Sequence, residues 1–440
     1  MKKVTVVFLL ITAVYFISCQ SNNYIGIEEN SKKSYSEIKQ SGIQLGACQA
    51  GITHNKEEYT LMNTLGVEWI RSAFFWGNLE KNPGIWDFTF YDKLMENAKK
   101  SNKKVLIILN YDVPWIHRKG EKGRNINNFN LPYFLNYVEI IAKRYGTKAA
   151  GFEIWNEPNT PMFWKGSDTD FFELTKRTTA LLKQIAPNKP VAVGSIFYHP
   201  IMSGKSYLKK MIENGVLENA DAVSLHPYGL SIKTSAKRVE NADKLIKEYG
   251  YNKEIWITET GVTTGGWYPN KTSVPKQANA VIEAIVRFSA AGADLISWFK
   301  LLDGQMPDDV IPGISSEEFF GLAYPDFSLK PSGLSYSLLA KAIQGSSYVP
   351  NSISLINISN NKLESFRFDN KDNITSLILW SKGTNTKINI SPFKQPVTVV
   401  NLITGKTTIY GQESPVNITA EPILITGELV NSNLPLKLKL

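Results

Sequence analysis

The stretch Ala150-Gly-Phe-Glu-Ile-Trp-Asn-Glu-Pro-Asn-Thr-Pro-Met-Phe-Trp164 decides how the chain is read. A short apolar run (Phe152, Ile154, Trp155) stops at Asn156-Glu157-Pro158. Proline disfavours the α region for the residue before it and pushes that residue towards extended geometry. Glu157 is therefore expected at the carboxyl end of a strand, where a loop takes over. The same order returns downstream as Ile255-Trp-Ile-Thr-Glu259-Thr-Gly261: an apolar strand, a terminal glutamate, then a glycine.

Outward from these two strands the pattern repeats. Short apolar segments stand at 43–48, 67–71, 105–109, 151–155, 191–195, 222–226, 254–258 and 295–299. Each is nearly continuous in apolar residues, which suits a parallel strand covered on both faces. Between them, Tyr91, Leu94, Met95 and Ala98 have the i, i+3, i+4, i+7 spacing of a helix with one apolar stripe. Phe134, Tyr137, Val138 and Ile141 repeat it, as do Ala278, Val281, Ile282 and Ile285. Strands alternating with such helices predict a (β/α)8 TIM barrel over residues 41–345. A doubly wound open sheet fits less well, because no Gly-rich phosphate turn follows the first strand.

After Ile343 the helical period stops. Short β-rich runs separated by Asn360-Asn361, Asn370-Lys371, Lys382-Gly383 and Gly405 predict a small antiparallel β-sandwich over 346–430, with 431–440 as a tail. At the other end, Lys2 and Lys3 precede an apolar run from Val4 to Ile17, as in an export signal, and the run is too short for a convincing membrane span. It closes at Phe16-Ile-Ser-Cys19, which resembles a bacterial lipoprotein box. Residues 1–18 are thus expected to be a signal peptide, Cys19 the lipidated residue and 19–40 a tether. The expected setting is a bacterial cell envelope, with the membrane as a partner through that lipid.

A charge of +9 is spread over scattered lysines, with no basic run, which argues against a nucleic-acid partner. Beyond Cys19 the chain has only Cys48, so no internal disulfide can form in the mature chain. No His-Glu-x-x-His, paired-cysteine motif or phosphate loop occurs, and the four histidines are dispersed. Neither a metal nor another cofactor is expected. No serine elbow of the form G-x-S-x-G is present.

What remains is a pair of carboxyl groups at the ends of the fourth and seventh strands, Glu157 and Glu259. Two carboxyl groups flanking a glycosidic bond can protonate the leaving oxygen and attack or assist from the other side. The strand ends Asn156-Glu157-Pro158 and Glu259 resemble the signature of the clan A glycoside hydrolases, retaining (β/α)8 enzymes. Within the clan, Phe152-Glu-Ile-Trp-Asn-Glu-Pro-Asn159 followed by Phe163-Trp164 looks most like glycoside hydrolase family 39, and less like family 5. The resemblance implies a polysaccharide or oligosaccharide substrate, Glu157 as acid/base, Glu259 as nucleophile, and Asn156 on the sugar 2-hydroxyl. It also implies that Arg71, read as closing strand two, hydrogen-bonds the nucleophile, that His226 and Tyr228 sit near it, and that Trp298 floors the innermost sugar site.

Glu153, four residues before Glu157, is expected inside the strand as an ion pair or interior hydrogen bond. His54, Trp115 and Trp164 are added as substrate-binding candidates, with Phe75-Trp76, Asn110-Tyr111-Asp112 and Trp267 as weaker ones. The reading leans towards an endo-acting enzyme. Its rivals are an exo-acting β-xylosidase-like or family 5-like glycosidase and a carbohydrate-binding envelope protein without turnover.

Overall fold

The computed structural model describes residues 42–48, 55–121, 123–199, 203–266, 271–306, 315–356, 363–394, 396–411, 414–431 and 435–439. The expected signal peptide and tether, Cys19, His54 and Trp267 lie outside them.

Strand and helix alternate as β1 (Gln44–Cys48), α1 (Lys56–Leu65), β2 (Trp69–Phe75), α2 (Thr89–Lys100), β3 (Lys104–Asn110), α3 (Leu131–Tyr145), β4 (Gly151–Ile154) and α4 (Asp168–Ile185). They continue as β5 (Val191–Phe197), α5 (Gly204–Glu213), β6 (Ala222–His226), α6 (Ile232–Glu248), β7 (Glu254–Thr260), α7 (Val274–Ala290), β8 (Ala293–Phe299) and α8 (Pro331–Ile343). The strands pair in sequence order, all parallel, and β8 closes on β1 through Gln44–Leu295 to Cys48–Phe299. This is the expected (β/α)8 barrel.

Local chemistry sets the helix ends. Asn55, Ser167 and Ser231 each accept a backbone N–H of the first turn, and Gly66 closes α1 at φ +75°, which costs glycine little. The stripes read from spacing are the buried faces: Tyr91, Leu94, Met95 and Ala98 are all nearly inaccessible, as are the stripes of α3 and α7. Behind β8, Lys330 is fully buried and donates to Asp303 Oδ2 at 2.9 Å, tying α8 to the loop that leaves the barrel mouth. Removing one partner of such a buried pair typically costs about 3–5 kcal/mol.

β2 is longer than expected. It runs on through Ser72 to Phe75, so Arg71 is an interior strand residue, 5% exposed, and not its last one. The polar Arg71-Ser72 pair interrupts the apolar pattern without interrupting the strand.

The C-terminal region holds β9 (Ser347–Tyr348), β10 (Ile353–Ile356), β11 (Leu363–Asp369), β12 (Ile374–Ser381), β13 (Thr386–Ile388), β14 (Val397–Asn401), β15 (Thr407–Tyr410), β16 (Val416–Ile418), β17 (Ile423–Glu428) and β18 (Leu436–Lys439). Six form an antiparallel sheet in the order β15-β14-β17-β12-β11-β9. Because side chains alternate along a strand, β12 serves two cores. Ile378 and Trp380 join the barrel core, while Leu377 and Leu379 join a second core with Ile388, Ile418 and Ile425. Arg287 of α7 lies over the rings of Phe366 and Trp380 and pairs with Glu364 at 3.1 Å, fastening sheet to barrel. The expected tail is corrected: Leu436–Lys439 forms β18, a parallel partner of β10.

Candidate active site

At the carboxyl end of the barrel the chain leaves β4 at Ile154 and takes two left-handed residues, Trp155 (φ +65°) and Glu157 (φ +45°). Glu157 is thus beyond its strand as expected, but its backbone is left-handed and not in the extended geometry that a following proline favours. Left-handed backbone is costly for residues with a Cβ and persists where neighbours hold it. Here Glu157 N–H donates to Ser195 O at 3.0 Å, and the Trp155 indole N–H to Phe163 O at 2.9 Å. Asn159 locks the turn onto β5 by accepting from Phe197 N–H and donating to Phe197 O. On β7, Glu259 precedes Gly261, where a Cβ would lie 2.4 Å from Phe299 O. Only glycine lets the two strand ends approach so closely.

These turns bring an oxygen of Glu157 and one of Glu259 within 4.8 Å. Arg71 sits beneath them, its Nη1 on Glu259 Oε2 at 3.0 Å, its Nε on Glu153 Oε2 at 2.6 Å, and its Nη2 on Asn156 Oδ1 at 2.9 Å and Ser195 Oγ at 3.2 Å. Tyr228 Oη donates to Glu259 Oε1 at 2.8 Å. His226, fully buried, has Nδ1 2.9 Å from Glu157 Oε1 and Nε2 3.1 Å from Thr258 Oγ1. Glu153, also fully buried, accepts from Thr258 Oγ1 at 2.8 Å. Among the described residues, Glu157, His226 and Glu259 form the one cluster close enough to hold a metal ion. Nδ1 of His226 faces Glu157 and Nε2 faces Thr258, so both ring nitrogens have protein partners.

The two carboxyl groups live in different fields. Burial and the nearby Glu259 push Glu157 well above the ordinary carboxyl range. Burial raises Glu259 too, but the Arg71 guanidinium and the Tyr228 hydroxyl act against it by stabilising the anion. Glu259 therefore ionises first and Glu157 keeps its proton. Burial and Arg71 hold His226 well below its usual value, so it is neutral. One carboxylic acid and one carboxylate facing each other is the arrangement that acid-assisted displacement at an acetal carbon needs.

The model of the cellulase family, glycosyl hydrolase family 5, matches residues 31–299. The chain belongs to that family. It is a glycoside hydrolase of clan A. Similar solved structures include a family 39 glycoside hydrolase from the gut symbiont Bacteroides cellulosilyticus WH2, at 16% identity and a TM-score of 0.72 over 88% of this chain and 81% of that one. A GH30 endoxylanase from Clostridium papyrosolvens C71 matches at 14% identity and a TM-score of 0.61, covering 89% of this chain and 97% of the other. The endo-β1,6-glucanase BT3312 matches at 14% and 0.62, covering 92% and 96%. At these identities the likeness is one of fold. The clan expected from the strand ends stands. The family 39 likeness is structural, while the matching sequence model is that of family 5.

In this family 5 chain a cavity of about 280 Å³ opens beside Glu259, between β1, β2, β3 and β8. Arg71, Asn156 and Glu259 line it, and so do Phe75, Asn110, Tyr111 and Phe299. Asn110 is 2% exposed and its Oδ1 has no hydrogen-bond partner. Tyr228 sits on Glu259, whereas the hydrogen-bond contact of His226 is with Glu157 and its distance to Glu259 is 3.9 Å. Two tryptophans expected to bind substrate, Trp298 and Trp164, are corrected by their burial. Trp298 is 1% exposed and its indole N–H is taken by Phe320 O at 3.0 Å. Its neighbour Phe299 lines the cavity instead, a miss by one step of the strand alternation. Trp164 is buried between Trp155 and Phe171 and donates to Ser167 O. Trp115 packs on Trp76 and Tyr133 and faces Glu80 O. The loop after β4 folds back on the barrel and buries the Trp164 ring, while Trp115 stays half-buried. Thr258 and Ser195 went unnoticed in the sequence, since a hydroxyl inside an apolar strand signals no role there.

Proposed function

We propose that the chain is a retaining glycoside hydrolase that cuts within a polysaccharide, with Glu157 as acid/base and Glu259 as nucleophile. The observation that carries this reading is the separation of the two carboxyl groups. Retaining enzymes hold the pair about 5–5.5 Å apart, whereas inverting ones leave about 6.5–9.5 Å for a water. A Glu259 oxygen attacks the anomeric carbon while Glu157 gives its proton to the departing oxygen. The glycosyl group is then covalently bound to Glu259. Glu157, now a carboxylate, takes a proton from a water that attacks the same carbon from the side the aglycone left, and Glu259 departs. Asn156 Oδ1 is occupied by Arg71, so its Nδ2 is the group offered to the sugar 2-hydroxyl.

Endo action is favoured by apolar surface on several sides of the mouth. Phe75 and Phe90, which line the cavity, are 39% and 47% exposed, while Met162 and Leu230, in the loops after β4 and β6, are 72% and 83% exposed. The flat faces of Phe75 and Phe90 suit sugar rings, and Met162 and Leu230 extend the apolar surface beyond one ring. Similar folds in an endoxylanase and an endo-β1,6-glucanase agree with this reading.

The test is a panel of bacterial and plant polysaccharides and aryl monosaccharides, with product size followed. Oligosaccharide release from a polymer, with aryl monosaccharides inert, is the expected result. Monosaccharide release from chain ends contradicts endo action, and inertness of every substrate contradicts turnover.

We further infer export and lipid anchoring at Cys19, on the strength of Lys2-Lys3, the apolar run and Phe16-Ile-Ser-Cys19. Cys19→Ala is expected to release the protein from the detergent phase. Continued partitioning into detergent contradicts the anchor.

A further inference from the structure

A chain of hydrogen bonds runs beneath the barrel mouth from one catalytic carboxyl group to the other. It passes from Glu157 to His226, from His226 Nε2 to Thr258 Oγ1 at 3.1 Å, and from Thr258 to Glu153 at 2.8 Å. It ends from Glu153 to Arg71 at 2.6 Å and from Arg71 to Glu259 at 3.0 Å. We propose that Glu153 is a positioning residue that sets the tautomer of His226 and thereby keeps the proton on Glu157. The proposal rests on the acid/base role given to Glu157 above.

Glu153 is paired with Arg71 Nε, and a carboxylate so paired can only accept. The single hydroxyl hydrogen of Thr258 is therefore committed to Glu153, leaving its oxygen as an acceptor towards His226. A bare Nε2 would set two lone pairs against each other, so Nε2 carries the hydrogen. Ser195 Oγ, 3.3 Å from the same nitrogen, is already an acceptor for Arg71 Nη2. His226 is neutral, so its Nδ1 is bare and points at Glu157 Oε1. Only a protonated Glu157 can satisfy that contact, and an ionised one meets a lone pair. Glu259, Arg71 and Glu317 bear on Glu157 electrostatically, and Tyr111 stands near it; Arg71 and Glu259 (3.9 Å) also face His226. None of them sets where the imidazole hydrogen lies.

Glu153→Gln reverses the order. The glutamine oxygen accepts from Arg71 Nε, and its NH2 donates to Thr258. The Thr258 hydroxyl then donates to Nε2, the hydrogen moves to Nδ1, and Nδ1–H stabilises ionised Glu157. Arg71, relieved of one carboxylate, also holds Glu259 more firmly as the anion. Thr258→Val separates the two effects, because it cuts the relay and leaves the Arg71–Glu153 pair in place. With no acceptor from Thr258, the free hydroxyl hydrogen of Ser195 can turn to Nε2.

The test uses full-length protein carrying nitrogen-15 histidine, with the His226 signal assigned by its loss in His226→Asn. Wild type is expected to show Nε2–H alone, Glu153→Gln Nδ1–H, and Thr258→Val a shift from Nε2–H towards Nδ1–H, because the Ser195 hydroxyl left beside Nε2 can accept from it or donate to it. On an active substrate, the alkaline limb of the pH–rate profile is expected to fall by about one pH unit or more in both variants, the size expected of one hydrogen bond to a charged group. The acid limb falls only in Glu153→Gln. A folded Glu153→Gln with an unchanged tautomer, or with an unmoved alkaline limb, overturns the proposal. A purely structural role lowers the rate at every pH without moving either limb. If Glu153→Gln does not fold, Thr258→Val decides by the same two readings. If the wild type turns over no glycoside, the catalytic reading has failed, and the tautomer readings still decide what Glu153 does to His226.

Discussion

Glu259→Ala lowers turnover by on the order of 10⁵–10⁶-fold, the size of loss seen when a covalent nucleophile is removed, and leaves the barrel folded. The fold survives because Glu259 stands at a strand end with its side chain 16% exposed, and because Arg71 keeps Glu153, Asn156 and Ser195 as partners. The space vacated beside Arg71 and Tyr228 suits a small anion. Azide at high concentration restores part of the rate on glycosides with good leaving groups and yields a glycosyl azide of opposite anomeric configuration. A rescued product of unchanged configuration, or an alanine variant as active as wild type, shows that Glu259 is not the nucleophile. Calorimetry or circular dichroism of the variant separates loss of chemistry from loss of fold.

Glu157→Gln is the second large effect. General acid catalysis contributes about 10²–10⁴-fold, and the loss is expected to track the leaving group: large for a sugar alcohol, small for an activated phenol. The amide also cannot act as base in the second step, so the glycosyl-enzyme accumulates on activated substrates and appears as a burst. The pH dependence follows from the direction of the shifts. Glu157 holds its proton well above the ordinary carboxyl range, so wild-type activity falls only when the pH rises past that raised value. Activity at the acid end falls when Glu259 takes up a proton, and burial raises that value as well. The variant loses the alkaline limb on substrates that need no acid. Steady-state rates across pH on two leaving groups check this, and an alkaline limb unchanged in Glu157→Gln contradicts the assignment.

Much of this site was legible before the structure, for a physical reason. Parallel strands covered on both faces write themselves as apolar runs, so both glutamates could be placed at strand ends. The carboxyl end of a barrel is where function collects. What could not be read is side-chain direction at the level of one residue. Trp298 and Phe299 are equally apolar neighbours, and only the pleat decides that Phe299 meets the cavity. Trp164 lies in a loop, yet the turn held by Asn159 folds it inward. β18 does alternate as Leu-Lys-Leu-Lys, the period of a half-buried strand, but the segment is four residues long and its partner β10 lies far upstream. Glu153 was expected as an interior ion pair, and it is one. Its link through Thr258 to His226 depends on three strands meeting, which no local pattern records.

The central claim is double displacement at Glu259, and its most direct measurement is the anomeric configuration of the first sugar released. Proton NMR of a fresh reaction on an active substrate, read before mutarotation, reports it. The account predicts that the first-formed reducing end has the same configuration as the bond cleaved. A first product of inverted configuration would mean a single displacement by water and would contradict the account.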